Sequence, residues 1–159
     1  MKRKLFLVIL SILIIVLAGC SKQPEKTVDS KILDKIEIKV LSVSKLPEGN
    51  GYSLKLINSS PYLIKQNSVY ISYPIKNGNG LSLNKCKVEA NGNKLDIKPK
   101  EEVILNVLMN NENFQDNKML DTENPDIQIE GYINEVKEIN HFEKSGSFEY
   151  FDSEFKRKN

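Results

Sequence analysis

The sequence predicts an all-β domain, an immunoglobulin-like antiparallel sandwich of seven or eight strands. Three observations predict it. Short runs alternate apolar and polar residues with a period of two, clusters of Gly, Asn, Ser and Pro separate them, and no long segment repeats apolar residues at helical spacing. The composition, 40% hydrophobic and 28% charged, can supply a packed core, and 159 residues suffice for one domain.

Taken in chain order, the first run sets Ile36, Ile38 and Val40 opposite Lys35, Glu37 and Lys39, and continues past Val43 to a turn at Pro47, Glu48, Gly49, Asn50 and Gly51. Strict alternation means one buried face. The second run carries Tyr52, Leu54 and Leu56 on one face and stops at Asn58, Ser59, Ser60 and Pro61, because Pro cannot continue the ladder. Val69, Ile71 and Tyr73 form the third run before Pro74, and Asn77, Gly78, Asn79 and Gly80 then tolerate the positive φ of a turn.

Cys86 and Val88 lead into Ala90, Asn91, Gly92 and Asn93, after which Leu95 and Ile97 resume the alternation; Asn-Gly between two such runs predicts a hairpin. Residues 103–108 are almost continuously apolar, Ile127, Ile129 and Ile133 make another run, and Phe142, Phe148, Tyr150 and Phe151 mark a last one. The polar stretch 112–124 is expected to be an irregular connection with a helical turn around 114–119. Without Trp and without a Cys pair in the domain, a core built on a disulfide packed against Trp is absent.

Upstream of the domain, Lys2, Arg3 and Lys4 precede an apolar run over residues 5–18 that only Ser11 interrupts, followed by Leu17, Ala18, Gly19 and Cys20. A basic start, an apolar middle and small residues at the end make the architecture of a signal peptide. The apolar run is shorter than the roughly 20 residues that a permanent span requires. Leu17-Ala18-Gly19-Cys20 resembles the lipobox of bacterial membrane lipoproteins at all four positions. The resemblance implies that residues 1–19 are removed, that the Cys20 thiol carries a diacylglyceryl group, and that the protein is held by lipid on the extracytoplasmic face of the cell membrane. Two acyl chains make such an anchor effectively permanent, since each buried methylene contributes about 0.8 kcal/mol.

Residues 20–31 then read as a lipidated Cys and a polar tether containing Pro24, and residues 32–159 as the sandwich domain. Residues 51–59, alternating and ending in Asn58 and Ser59, resemble a strand of small sandwich domains on bacterial lipoproteins. The net charge of +2 falls to −1 once Lys2, Arg3 and Lys4 are removed, which excludes an electrostatic case for nucleic acid. With Cys20 lipidated, Cys86 has no disulfide partner, and its alternation with Val88 predicts a buried structural thiol.

No catalytic, metal-ligating or cofactor-binding set emerges from the remaining residues. His141, the single histidine, sits at the start of the last aromatic run and is expected to be a solvated strand-end group. Asp116, Asn117, Asp121, Glu123, Asn124 and Asp126 lack the ligand spacing of a calcium loop and are expected to be solvated. Lys85, Lys87, Lys94, Lys98 and Lys100 suit exposed faces and guarded edges. Tyr150, Phe151 and Phe155 are expected to pack against the core and its edge.

The sequence therefore predicts a lipid-anchored binding or interaction module that is not an enzyme, with the membrane as one partner through Cys20 and a protein or peptide as the other. The alternative is an immunity or inhibitor-type lipoprotein that sequesters a peptide toxin or a protease, and a hydrolytic enzyme or metal carrier is the third reading.

Overall fold

The structure, a computed structural model, describes residues 28–78, 80–114 and 117–155. The expected leader over residues 1–19, with Leu17, Ala18 and Gly19, and Cys20 lie outside the described residues, as does Asp116. The described chain starts with a single helical turn, α1 (Ser30–Leu33), capped by Asp29, whose carboxylate accepts from Lys31 N at 3.0 Å. Val28, Ile32 and Leu33 already pack against the core.

Strands β1 (Ile36–Leu46) and β2 (Gly49–Asn58) follow, and only Pro47 and Glu48 separate them. The turn is shorter than the expected five residues because Gly49 and Gly51 continue the ladder, where Gly49 pairs with Leu46. Next come β3 (Ile64–Ser72), β4 (Ile75–Asn77), β5 (Gly80–Ser82), β6 (Lys87–Glu89), β7 (Asp96–Ile97) and β8 (Glu102–Asn110). A second helical turn, α2 (Asn111–Phe114), precedes β9 (Asp126–Ile133) and β10 (His141–Ser147), and a third, α3 (Phe148–Phe151), follows.

The fold is an all-β sandwich, as the alternation predicts. One sheet has the order β1-β2-β8; the other has β10-β9-β3-β6, with β7 also on β3. Every pairing between these strands is antiparallel. Strands β4 and β5 form a separate hairpin across the Asn77–Gly80 cluster, where Gly78 has a φ of 54°.

The inner faces carry the residues that the period of two selects: Ile36, Ile38, Leu54, Leu56, Leu105 and Val107 from one sheet, Ile64, Val69, Ile71, Ile127, Ile129 and Phe142 from the other, in one buried cluster. Each such aliphatic side chain contributes roughly 1.5–3 kcal/mol through burial. The run at 103–108 alternates after all, since Ile104 and Leu108 point outward.

The predicted Asn91-Gly92 hairpin is not formed. Strands β6 and β7 lie end to end along one edge of β3, on Tyr70–Ser72 and Ile64–Lys65 respectively. The chain between them crosses to the other sheet, where Asn91 and Asn106 exchange backbone hydrogen bonds of 2.8 and 3.0 Å. Gly92 permits the crossing because its φ is 94° and a Cβ there would stand 2.6 Å from the Ile104 carbonyl oxygen. Asn93 then substitutes for a missing strand, its Oδ1 accepting from Val69 N at 3.2 Å.

Cys86 is exposed, against the expectation of a buried thiol. The β3–β6 ladder begins only at Lys87, and Cys86 stands before it in a turn in which its N–H donates to Asn84 Oδ1 at 2.9 Å. Alternation carries no information outside a ladder. The last aromatic run is split for a related reason: Phe142 lies in β10, whereas Phe148, Tyr150 and Phe151 belong to the turn of α3, capped by Ser147, whose Oγ accepts from Tyr150 N at 3.3 Å. The helical turn expected at 114–119 occurs earlier, at α2.

Candidate functional site

A cleft opens where β1 passes beyond its bulge. The β1–β2 register shifts between Val40 and Ser42, so Leu41 is the extra residue, and all of β1 from Leu41 onward is exposed. The bulge is held by Asp152, whose Oδ2 accepts from Val40 N at 3.0 Å. Asp152 follows α3, which is itself pinned by Phe148: its buried ring meets Tyr52 edge-on at 5.3 Å and Phe155 at 5.5 Å. The divergence of β1 from the 148–155 segment leaves a cavity of about 830 Å³ between them. Such a volume suits a small organic molecule or part of a peptide.

The base of the cavity is apolar and aromatic, with Val40, Tyr52, Pro125, Phe148 and Phe155. Its two walls carry opposite charges, Lys39 and Lys45 on β1 and Glu123 and Glu154 across from them. A smaller cavity of about 280 Å³ adjoins it, sharing Asn50 and Thr122 as walls and adding Asn111, Asn117, Lys118 and the aromatic pair Tyr73 and Phe114. Between the two runs a hydrogen-bond chain: Asn50 Nδ2 donates to Tyr73 Oη at 2.8 Å, and Tyr73 Oη lies 3.2 Å from Tyr52 Oη. The arrangement can hold an apolar group at the base, a polar group on the amide and hydroxyl chain, and charges of either sign at the mouth.

Of these groups the sequence singled out Phe155, Glu123 and Asn117, Phe155 as packing and the other two as solvated loop residues, but it did not bring them together. Tyr52 and Tyr73 read as core residues, and they are buried, but their hydroxyls meet only because the two sheets bring strands β2 and β3 together. His141 and Cys86, which also stood out, lie elsewhere. His141 is half-buried at the start of β10, its ring 5.1 Å from that of Tyr132, and it lines neither cavity. Exposed Cys86 lines neither as well.

Within the acidic stretch Asp121 is buried, not solvated, because its carboxylate accepts from Asn124 Nδ2 at 2.7 Å and lies 3.9 Å from Lys76 Nζ. Among the described residues no three His, Cys, Asp or Glu side chains gather as a metal site. Lys87 and Lys94 take part in local contacts, Lys87 over the Tyr70 ring at 3.8 Å and Lys94 paired with Glu101. That contact, with the backbone N–H of Lys98, holds the Glu101 carboxyl below its ordinary range.

Asp126 carries a pH prediction. Burial first, and the nearby charge of Asp121 second, push its carboxyl above the ordinary value of 3.8. At low pH the carboxyl is protonated in folded and unfolded chains alike and costs nothing. As pH rises from the ordinary value through the raised folded-state value, the unfolded chain loses its proton first, so stability falls over that window. Asp126→Asn is expected to remove this fall, raising the urea midpoint at neutral pH and leaving it unchanged near pH 3. Equal midpoints of variant and wild type at pH 7 would contradict the burial argument.

No protein-family model matches the chain, and no curated protein matches it.

Proposed function

We propose that this protein is a lipid-anchored lipoprotein of the cell envelope that works as a non-catalytic binding module, taking its ligand in the cleft between β1 and the 148–155 segment. Support for the anchor comes from Leu17, Ala18, Gly19 and Cys20, which satisfy every position of the lipobox. The single observation that carries the binding role is the cleft itself, in which an aromatic base and a hydroxyl–amide chain are held by buried side chains. Its described lining has no imidazole and no thiol, and of its three carboxylates, Glu123, Asp152 and Glu154, Asp152 is committed to the Val40 and Glu154 backbone N–H groups. Preformed, well-anchored walls suit binding, because little ordering entropy remains to be lost when a ligand enters. The ligand class that fits the lining best is a peptide segment, which brings apolar side chains, backbone amides and both signs of charge.

The test is site-specific photocrosslinking in the living cell. A crosslinking residue at Val43, on the cleft wall and 46% exposed, is compared with one at Ile104, on the outer face of β8 and 49% exposed. Discrete adducts from position 43 that position 104 does not give are expected. The same adduct pattern from both positions would remove the cleft as the binding site.

A further inference from the structure

The three-stranded sheet places β1 at an edge, and the direction of each backbone group along β1 follows from the register. At the end of β2 the Asn58 N–H donates to the Glu101 carbonyl on the β8 side (3.0 Å), whereas the Ser59 N–H donates to the Lys35 carbonyl on the β1 side (2.8 Å). Backbone groups alternate in direction along a strand, and the β2–β8 register runs over residues 49–57 without a shift. Ser53, Gly51 and Gly49 therefore bond to Ser42, Ser44 and Leu46 of β1. Between these, the N–H and C=O groups of Val43 and Lys45 point away from the sheet. Val40, before the bulge, also points its N–H outward, because its partner Leu54 faces β8, and there Asp152 accepts it at 3.0 Å. A carboxylate oxygen thus stands where a neighbouring strand would present a carbonyl. Past Leu41 nothing does the same: among the described residues no hydrogen bond reaches the outward groups of Val43 and Lys45.

We propose that this open edge of β1, over residues 41–46, takes an extended acidic segment of a protein partner as an added strand. The proposal rests on the cleft as the binding site and names how its peptide is held. Backbone chemistry supplies the first argument. Val43 and Lys45 present donor and acceptor pairs about 7 Å apart, the two-residue repeat of a strand, which another extended backbone matches. Their side chains lie opposite Tyr52 and Asn50 and line the cleft, while Ser44 and Leu46 alternate to the other face. An added strand therefore sets every second side chain over the aromatic base and the others toward solvent.

Charge supplies the second argument and selects the partner. Lys39 and Lys45 line the cleft, and among the described residues neither is ion-paired. Residues 41–46 contain Lys45 and no acid, so a second copy of this chain pairing there would bring lysine toward lysine. Lys45 guards the edge against self-association in this way, and an acidic residue beside it turns the guard into a contact. Glu123 and Glu154 stand on the opposite wall, so the acid of the incoming segment belongs on its β1 side.

The test uses the full-length protein in the living cell, with p-benzoylphenylalanine at Leu41, which lines the cleft and is 50% exposed. Val43→Ala trims the side chain and keeps the N–H. Val43→Pro removes the N–H, which an open edge tolerates because no bond to β2 is lost. Partner adducts are expected to weaken severalfold with Val43→Ala and to vanish with Val43→Pro, at an unchanged urea midpoint. Lys45→Pro is expected to act alike and replaces Val43→Pro if that variant fails to fold, and Lys45→Glu is expected to lose the adducts through repulsion. In the free wild-type protein the Val43 and Lys45 amides are expected to exchange hydrogen on the order of tenfold or more faster than those of Ser42 and Ser44. Equal adducts from the Ala and Pro variants would overturn strand addition and leave the cleft standing. Slow exchange at Val43 and Lys45 would show the edge already covered and overturn it too. Adducts that survive Lys45→Glu, or that have twice the protein's own mass, would overturn the acidic partner. Failure of position 41 to give any adduct that position 104 lacks would instead defeat the cleft as the binding site, and the proposal with it.

Discussion

Asn58→Ala is expected to lower the unfolding free energy by about 3 kcal/mol, which for a domain of this size lowers Tm by about 10 °C. Asn58 is fully buried at the end of β2. Its Nδ2 donates to the carbonyls of Tyr62 (2.8 Å), Lys98 (3.1 Å) and Ile97 (3.2 Å), and its Oδ1 accepts from Ser60 Oγ (2.6 Å) and Ser60 N (3.1 Å). One side chain thus ties the end of β2 to the start of β3 and to the segment after β7. Truncation strands buried carbonyls and the Ser60 groups together, and an unsatisfied buried group costs more than a made hydrogen bond gains. Asn58→Asp keeps the acceptor and loses the donors, so it is expected to be at least as damaging. Urea unfolding followed by circular dichroism measures both; a wild-type midpoint for Asn58→Ala would show that the knot contributes nothing.

The second large effect is expected at Gly49, where Ala should cost about 2–3 kcal/mol through overpacking. A Cβ there would stand 2.1 Å from the Met109 carbonyl oxygen and 3.0 Å from Asn110 Cα. Both neighbours are backbone, so relief requires β2 and β8 to move apart where Gly49 pairs with Asn110. Gly51→Ala is the control, because its Cβ would meet first the Leu46 side chain, at 3.3 Å, and that flexible end can yield. Asn50 lies between the two glycines, so Gly49→Ala should also disturb the Asn50–Tyr73 hydrogen bond that joins the two cavities.

The contrast between Asn58 and Cys86 shows what alternation encodes. Ile36, Ile38, Leu54, Leu56, Ile127 and Ile129 were legible as core because each sits inside a long ladder whose register fixes the face. Cys86 lies one residue outside a three-residue ladder, and its period-two relation to Val88 was accidental. Asn91-Gly92 carried a correct local message, positive φ at Gly92, but the same conformation serves a hairpin or a crossing between sheets. Only the partner strands decide, and they are remote in sequence.

Asn58 was visible in the strand ending of residues 51–59, yet its partners Tyr62, Ile97 and Lys98 were not. The cleft was illegible for the same reason. It depends on a bulge at Leu41, on Asp152 reaching Val40 across 112 positions, and on Tyr52 and Tyr73 meeting through their hydroxyls. Each is a non-local contact without a local pattern.

The central claim is that lipid on Cys20 holds this sandwich at the membrane, and the mass of the amino-terminal peptide from wild type and Cys20→Ala, with membrane fractionation of both, tests it most directly. The account predicts a wild-type peptide that starts at Cys20 and carries the diacylglyceryl mass, in the membrane fraction. The Cys20→Ala chain should lose both that mass and its processing. Unmodified, uncut amino termini in both proteins would contradict the account.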